Sequence, residues 1–156
     1  MNDTTTITQL GRGPYWQEVS VGDKFRTYER TITETDLVSF INVTGMLETQ
    51  FTASALHAGP IQGRLIPAAL TYGIIEGFQF QSLIQGVGLA LLDVAIKAHA
   101  PVRVGDTIHA IIEVTLIKPT SKGNRAIVAS EVKVFNQDDL LVLSYVVTRM
   151  VAGKPE

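Results

Sequence analysis

The chain has no cysteine and three histidines, so acid–base work falls to carboxylates and imidazoles. Glu48 and His57 lie in the same irregular stretch, MLETQFTASALHAGPIQGRL, residues 46–65. A carboxylate there acts as a general base if burial raises its pKa towards neutrality. An imidazole brought against it by the folding of the loop can pair with it. On a solvated loop neither group has such a role. Arg64 suits an anionic phosphate or a structural ion pair. Thr44 offers a hydroxyl that can also bond back to its own helix. Glu76 is the only charge in the apolar run AALTYGIIEGFQFQSLIQG, residues 68–86, and a carboxylate in such surroundings is normally paired. His99 and His109 fall on or beside later strands and read as structural. The three imidazoles are too scattered for a zinc set, and no Gly-rich phosphate cradle is present. Neither a metal nor a cofactor is expected.

The elements that must position these groups follow from periodicity. Residues 25–33 alternate with β-branched and aromatic side chains and predict a strand, preceded by the turn Val21-Gly22-Asp23. Thr33 or Thr35 can cap the helix that follows, and Thr33 with Asp36 has capping-box spacing. Leu37, Phe40, Ile41 and Thr44 make its i, i+3, i+4, i+7 stripe, and Gly45 ends it. One short helical turn is expected near residues 52–56. Pro67 opens the longest helical pattern. That pattern is apolar nearly all round, which predicts burial, and Gly73 with Gly77 lets another backbone come close. Strands are expected at 88–98, 106–117, 125–136 and 140–151, long enough for a broad, curved antiparallel sheet. The fold class is therefore α+β: one long central helix wrapped by an antiparallel sheet of about five strands, a hot-dog arrangement. The turn Val21-Gly22-Asp23 is echoed by Val104-Gly105-Asp106, and both lead into strands.

At 156 residues, with 46% apolar and 18% charged side chains, the chain fits a single domain and excludes disorder. The expected division is a loose arm at 1–13 and one domain at 14–153. The apolar excess points to surface buried against another copy, so a homodimer or higher homo-oligomer is expected. A net charge of −2 without basic clusters argues against nucleic acid. No run approaches a membrane span, and the first ten residues lack the pattern of a secretory signal. A cytoplasmic place is the expectation.

The segments V-G-D-K-F (21–25), I-T-E-T-D-L-V-S-F (32–40), V-T-G (43–45), G-R-L-I-P (63–67) and V-R-V-G-D-T-I (102–108), in this order, resemble the MaoC-like (R)-specific enoyl-CoA hydratases and dehydratases. The resemblance covers about residues 15–151. It implies the hot-dog fold, a dimer, and an acyl-CoA or acyl-carrier thioester as the molecule acted on. In that family an Asp-x-Asn-Pro-x-His run follows the Ser/Thr-Gly step, and its Asp and His activate water. Aligned on Thr44-Gly45, the Asp position holds Met46 and the His position Phe51. The usual pair is replaced, which leaves Glu48 and His57 as the candidate acid/base set.

Enolate stabilisation needs only backbone donors. The first N–H groups of a helix are unpaired and lie at its positive end. Pro67 has no N–H, so Ala68 and Ala69 are the candidate donors, with Thr44, Met46, Phe51 and Arg64 as further contacts to a thioester. Three functions remain open: a hydratase or dehydratase with a rearranged acid/base set, a non-catalytic acyl-thioester-binding subunit, and a thioesterase of the kind that uses an acid on the central hot-dog helix, here Glu76.

Overall fold

The computed structural model describes residues 9–53 and 63–155. After a 3-10 turn at Trp16–Glu18, the elements run β1 (Lys24–Arg26), β2 (Arg30–Thr31), α1 (Glu34–Thr44), α2 (Thr49–Thr52), α3 (Ala68–Phe80), β3 (Gly88–Ala98), β4 (Thr107–Pro119), β5 (Arg125–Phe135) and β6 (Leu141–Ala152). The sheet order is β1-β4-β5-β6-β3, with β2 also pairing β4. Every pairing is antiparallel. The sheet curls around α3, so that Leu70, Ile74 and Ile75 join Ile108, Ile112, Val132, Val134, Leu143, Tyr145 and Val147 in one core. β3 is an edge strand. Among the described residues its only strand partner is β6, and nearly all its side chains are exposed.

The strand expected at 25–33 is two short strands. At Thr27 the side chain takes over part of the ladder. Its N–H donates to the Ala110 carbonyl, its Oγ1 accepts from the Ala110 N–H, and its hydroxyl donates to the Tyr28 carbonyl. A local side-chain bond of this kind competes with regular pairing, and Tyr28 is left in solvent. The long helix is also shorter than its apolar pattern. It stops at Phe80 and gives way to turns in which the Ile84 N–H returns to the Gln79 carbonyl. There Gly13 packs against the Leu83 carbonyl so closely that a Cβ would come within 2.4 Å of the oxygen. Gly13 is buried and its N–H donates to the Gln85 carbonyl. The short helix lies at Thr49–Thr52, earlier than expected; residues 54–56 of that expectation lie outside the described residues.

The two V-G-D turns are built alike. Gly22 and Gly105 have φ of 94° and 95°, a region open mainly to glycine. Each following aspartate accepts from the backbone N–H three residues back, Asp23 from Ser20 and Asp106 from Arg103. The second turn does more than start β4. Leu65 bridges Arg103, the Ile66 N–H donates to the Val102 carbonyl, and the Val104 N–H donates to the Arg64 carbonyl. The entry to α3 is thereby fixed against residues 102–104.

Helix α1 carries the capping box. The Thr33 hydroxyl oxygen accepts from the Asp36 N–H, and Asp36 accepts from the Thr33 N–H. That backbone donor is the main reason the Asp36 carboxyl sits below its ordinary value; the Thr33 hydroxyl and Arg30 add to it, and partial burial opposes them. A depressed carboxyl stabilises the fold at neutral pH, and the gain is lost as pH falls through its folded pKa. Thr33→Ala is expected to cost about 1 kcal/mol, lowering Tm by roughly 2–4 °C in a scanning calorimeter.

Candidate functional site

The N-terminus of α3 opens into a cavity of about 280 Å³ bordered by Ile66, Ala68, Thr71, Ala98, Val102, Val142 and Leu143. Pro67 is the cap and supplies no side-chain bond to the helix end. The first bonded amides are those of Leu70 and Thr71, both to the Pro67 carbonyl. Among the described residues the Ala68 and Ala69 N–H groups have no acceptor. The Thr71 hydroxyl is fully buried and also has no hydrogen-bond partner among the described residues. Buried polar groups are nearly always satisfied, so the unpartnered Thr71 hydroxyl stands out, while the Ala68 and Ala69 amides, on an exposed and a half-buried residue, are the free donors of a helix start. All three groups lie in the first turn, at the positive end of a 13-residue helix.

Farther along, α3 and the start of β3 border a second, open-sided cavity of about 360 Å³. Its lining includes Tyr72, Glu76, Phe80, Leu89, Leu91 and Arg149. Tyr72, Glu76 and Phe80 share the i, i+4 row of α3 that faces this cavity, and Ala68, at the head of the row, borders the first. Glu76 is buried here but not free. Its Oε1 accepts from Gln79 Nε2 and from the Tyr145 hydroxyl, each at 2.8 Å. Its Oε2 is ion-paired with Arg149. Arg149 also donates to Gln79 Oε1, and Gln79 donates to the Tyr145 hydroxyl oxygen. The Tyr72 ring stands edge-on to Tyr145 with centroids 5.0 Å apart. Burial, reinforced by the Glu76 carboxylate, raises the pKa of both Tyr72 and Tyr145, Tyr145 by far the more. Both phenols therefore stay protonated.

The structure brings some predicted residues together and leaves others apart. Ala68 borders the first cavity, with Ala69 next to it. Glu48 is exposed and caps α2, its carboxylate accepting from the Gln50 N–H at 2.7 Å. The Thr44 hydroxyl bonds back to the Phe40 carbonyl at 2.6 Å. Met46 is partly exposed, and Phe51 packs its ring against the core. Arg64 clamps Glu34 of α1 through Nε and a terminal nitrogen, 3.0 and 2.7 Å. His57 lies outside the described residues. His99 bonds Ser144 on the outer face of β6 at 2.7 Å, and His109 stacks on Phe135. Among the described residues no metal-binding cluster of His, Asp or Glu exists, and no helix is long and apolar enough to cross a membrane.

Sequence reasoning missed Thr71, Gln79, Tyr145 and Arg149. One signal was available: Glu76 is the only charge in α3, and Arg149 is the only charge in β6. Two lone opposite charges on two buried elements must meet or be very costly.

The same architecture occurs in solved structures. A Mycobacterium tuberculosis protein described as having a double hot-dog fold matches at a TM-score of 0.79 and 21% identity, over 96% of this chain and 47% of that one. An R-hydratase from Pseudomonas aeruginosa matches at 0.74 and 25%, over 90% and 86%. A MaoC-domain dehydratase from Chloroflexus aurantiacus matches at 0.87 and 22%, over 96% and 43%. The fold is the hot dog of the MaoC-like dehydratases and (R)-hydratases. This hot-dog chain spans less than half the length of the M. tuberculosis and Chloroflexus chains. No family model and no curated protein sequence matches it.

Proposed function

We propose that this hot-dog chain binds an acyl thioester and acts on it as a hydratase or dehydratase. The observation that carries the reading is the cluster of orphaned donors at the start of α3: the Ala68 and Ala69 amides and the Thr71 hydroxyl. Hydration across a double bond conjugated to a thioester places negative charge on the carbonyl oxygen, and preorganised donors lower that barrier. The 25%-identical match to an R-hydratase supports the same class of chemistry. Glu48, with His57, is the proposed acid/base set. Glu48 makes no ion pair among the described residues, so its carboxylate need give up only the α2 cap to accept a proton from water. Thr44, Met46, Phe51 and Arg64 remain proposed neighbours of the substrate. The assay is addition of water to a trans-2-enoyl-CoA, with a fall of about 10²–10⁴-fold expected for Glu48→Gln.

A second reading is favoured by the exposed, capping position of Glu48 and by Met46 and Phe51 where the family carries its catalytic pair. In it the chain binds thioesters without turning them over. Tight binding of an enoyl-CoA with no hydration by the wild-type protein selects this reading over the first. The engagement of Glu76 with three neighbours weighs against its acting as a thioesterase nucleophile.

The proposed assembly is a homodimer through β3. Cross-strand pairing with β6 puts Val94 and Ile96 on the inner side with Val147 and Tyr145, and Asp93, Ala95 and Lys97 on the outer side. An antiparallel second copy centred on Ala95 sets Asp93 against Lys97 of the other β3, twice. It also roofs the open side of the second cavity. The double hot-dog fold that this chain half-matches supports such a pairing. Ile96→Lys, at an exposed inner-face apolar position, is expected to give monomers by sedimentation velocity. A dimer of unchanged stability would exclude this edge.

A further inference from the structure

The cavity beside α3 has an unusual floor for a hydrocarbon chain. Its walls are apolar, with Phe80, Leu89 and Leu91 among them, but its base carries Glu76 and Arg149. Both side chains are about nine-tenths buried. The Glu76 carboxylate is already well supplied with donors, by Gln79, Tyr145 and Arg149. Among the described residues Arg149 is not saturated. A guanidinium has five N–H donors, and the bonds to Glu76 and Gln79 use two of them. Tyr72 lines the same cavity, its hydroxyl interacting with the Glu76 carboxylate.

The position of this floor relative to the donor cluster is set by the helix. Eight residues separate Ala68 from Glu76, a rise of about 12 Å. Side chains on a helix lean towards its N-terminus, which shortens the gap to be filled. With its carbonyl on the Ala68 and Ala69 amides, a thioester needs its acyl chain to run along the Ala68–Tyr72–Glu76 row to reach this floor. A plain alkyl end arriving at Arg149 would strip water from unpaired donors and return nothing. An end that accepts hydrogen bonds would satisfy them.

We infer that the acyl group taken by this chain ends in an oxygen-bearing acceptor, a hydroxyl or a carboxylate, which the cavity floor formed by Arg149, Glu76 and Tyr72 recognises. The inference rests on the thioester-binding reading above and adds the chemical class of the acyl end. The ion pair with Glu76 keeps the floor close to neutral, so the spare Arg149 donors act as directional hydrogen bonds on the incoming oxygen.

The test uses saturated thioesters, so that binding is separated from turnover. Hexanoyl-CoA, 6-hydroxyhexanoyl-CoA and hexanedioyl-CoA are titrated calorimetrically into the wild-type protein. At least one oxygen-ended thioester is expected to bind roughly tenfold or more tightly than hexanoyl-CoA; the other two probes, compared with each other, separate hydroxyl from carboxylate. In Glu76→Leu/Arg149→Met, which removes the charged pair together so that neither partner is left buried alone, the preference is expected to disappear. Gln79→Leu leaves the ion pair in place and is expected to keep the preference. Hexanoyl-CoA binding as tightly as both oxygen-ended thioesters would overturn the inference while leaving thioester binding intact. A preference that survives in the double variant overturns it too. Failure of all three thioesters to bind removes the reading beneath it, and the inference with it.

Discussion

Ala68→Pro is expected to cut turnover of an enoyl thioester by about 10²–10³-fold with little change in Tm. The substitution is chosen for what it leaves alone. Ala68 is the first residue of α3, where proline is well tolerated because the amide has no helical partner. The residue before a proline must be extended, and Pro67 already is, with φ −60° and ψ 139°. The change therefore deletes one N–H and little else. If that amide merely faces water, its loss is silent. If it holds the carbonyl oxygen on which charge develops, kcat falls while folding is untouched. Thr71→Val is the side-chain counterpart. It keeps the shape and removes a buried hydroxyl that has no partner among the described residues, so it should stabilise the free protein or leave it unchanged and still weaken the reaction. A variant pair that loses activity without losing stability separates a ligand site from a structural one. Equal kinetics for Ala68→Pro and wild type would place the reacting carbonyl elsewhere.

Arg149→Met is expected to destabilise the fold by about 3–5 kcal/mol, whereas Glu76→Leu/Arg149→Met recovers most of the loss. The reason is desolvation. Glu76 and Arg149 are both buried, and each is tolerable only because the other is present. Removing the arginine leaves a carboxylate in the core with Gln79 and Tyr145 as neutral donors. Removing both leaves an apolar seam between α3 and β6. The measurement is urea unfolding of wild type, both single variants and the double variant, read as a cycle. Additive losses in the cycle would mean that the two groups act independently.

The fold was largely legible because its elements carry strong local signals. The four long strands alternate and end at turn residues, so their observed limits fall within a residue or two of the expected ones. The Thr33–Asp36 box marked the start of α1. The early strand was misread because Thr27 satisfies backbone groups of β4 with its own hydroxyl, and alternation is blind to a side chain that enters the ladder. The end of α3 was overrun because Leu83 and Ile84 continue an apolar pattern that the turns at its end use for packing.

The site was less legible for a different reason. Proximity to the replaced Asp/His pair drew attention to Glu48 and His57, residues close in sequence. The groups that the structure gathers around α3 come from far along the chain. Tyr145 and Arg149 reach Glu76 because β6 runs beneath α3, next to the edge strand β3. Thr71 looks like an ordinary helix residue until its hydroxyl is seen to be buried without a partner among the described residues. That the Ala68 and Ala69 amides lack helical partners could be inferred beforehand, because a helix start leaves amides unpaired whatever the side chains are.

The account stands or falls on whether a thioester carbonyl lies at the start of α3. Isotope-edited infrared difference spectroscopy reads this directly, with a saturated acyl-CoA carrying carbon-13 at the thioester carbonyl, bound to wild type and to Ala68→Pro. The account predicts a carbonyl stretch displaced to lower frequency in the wild-type complex and a smaller displacement in the variant. A bound thioester whose carbonyl frequency is the same in both proteins would contradict it.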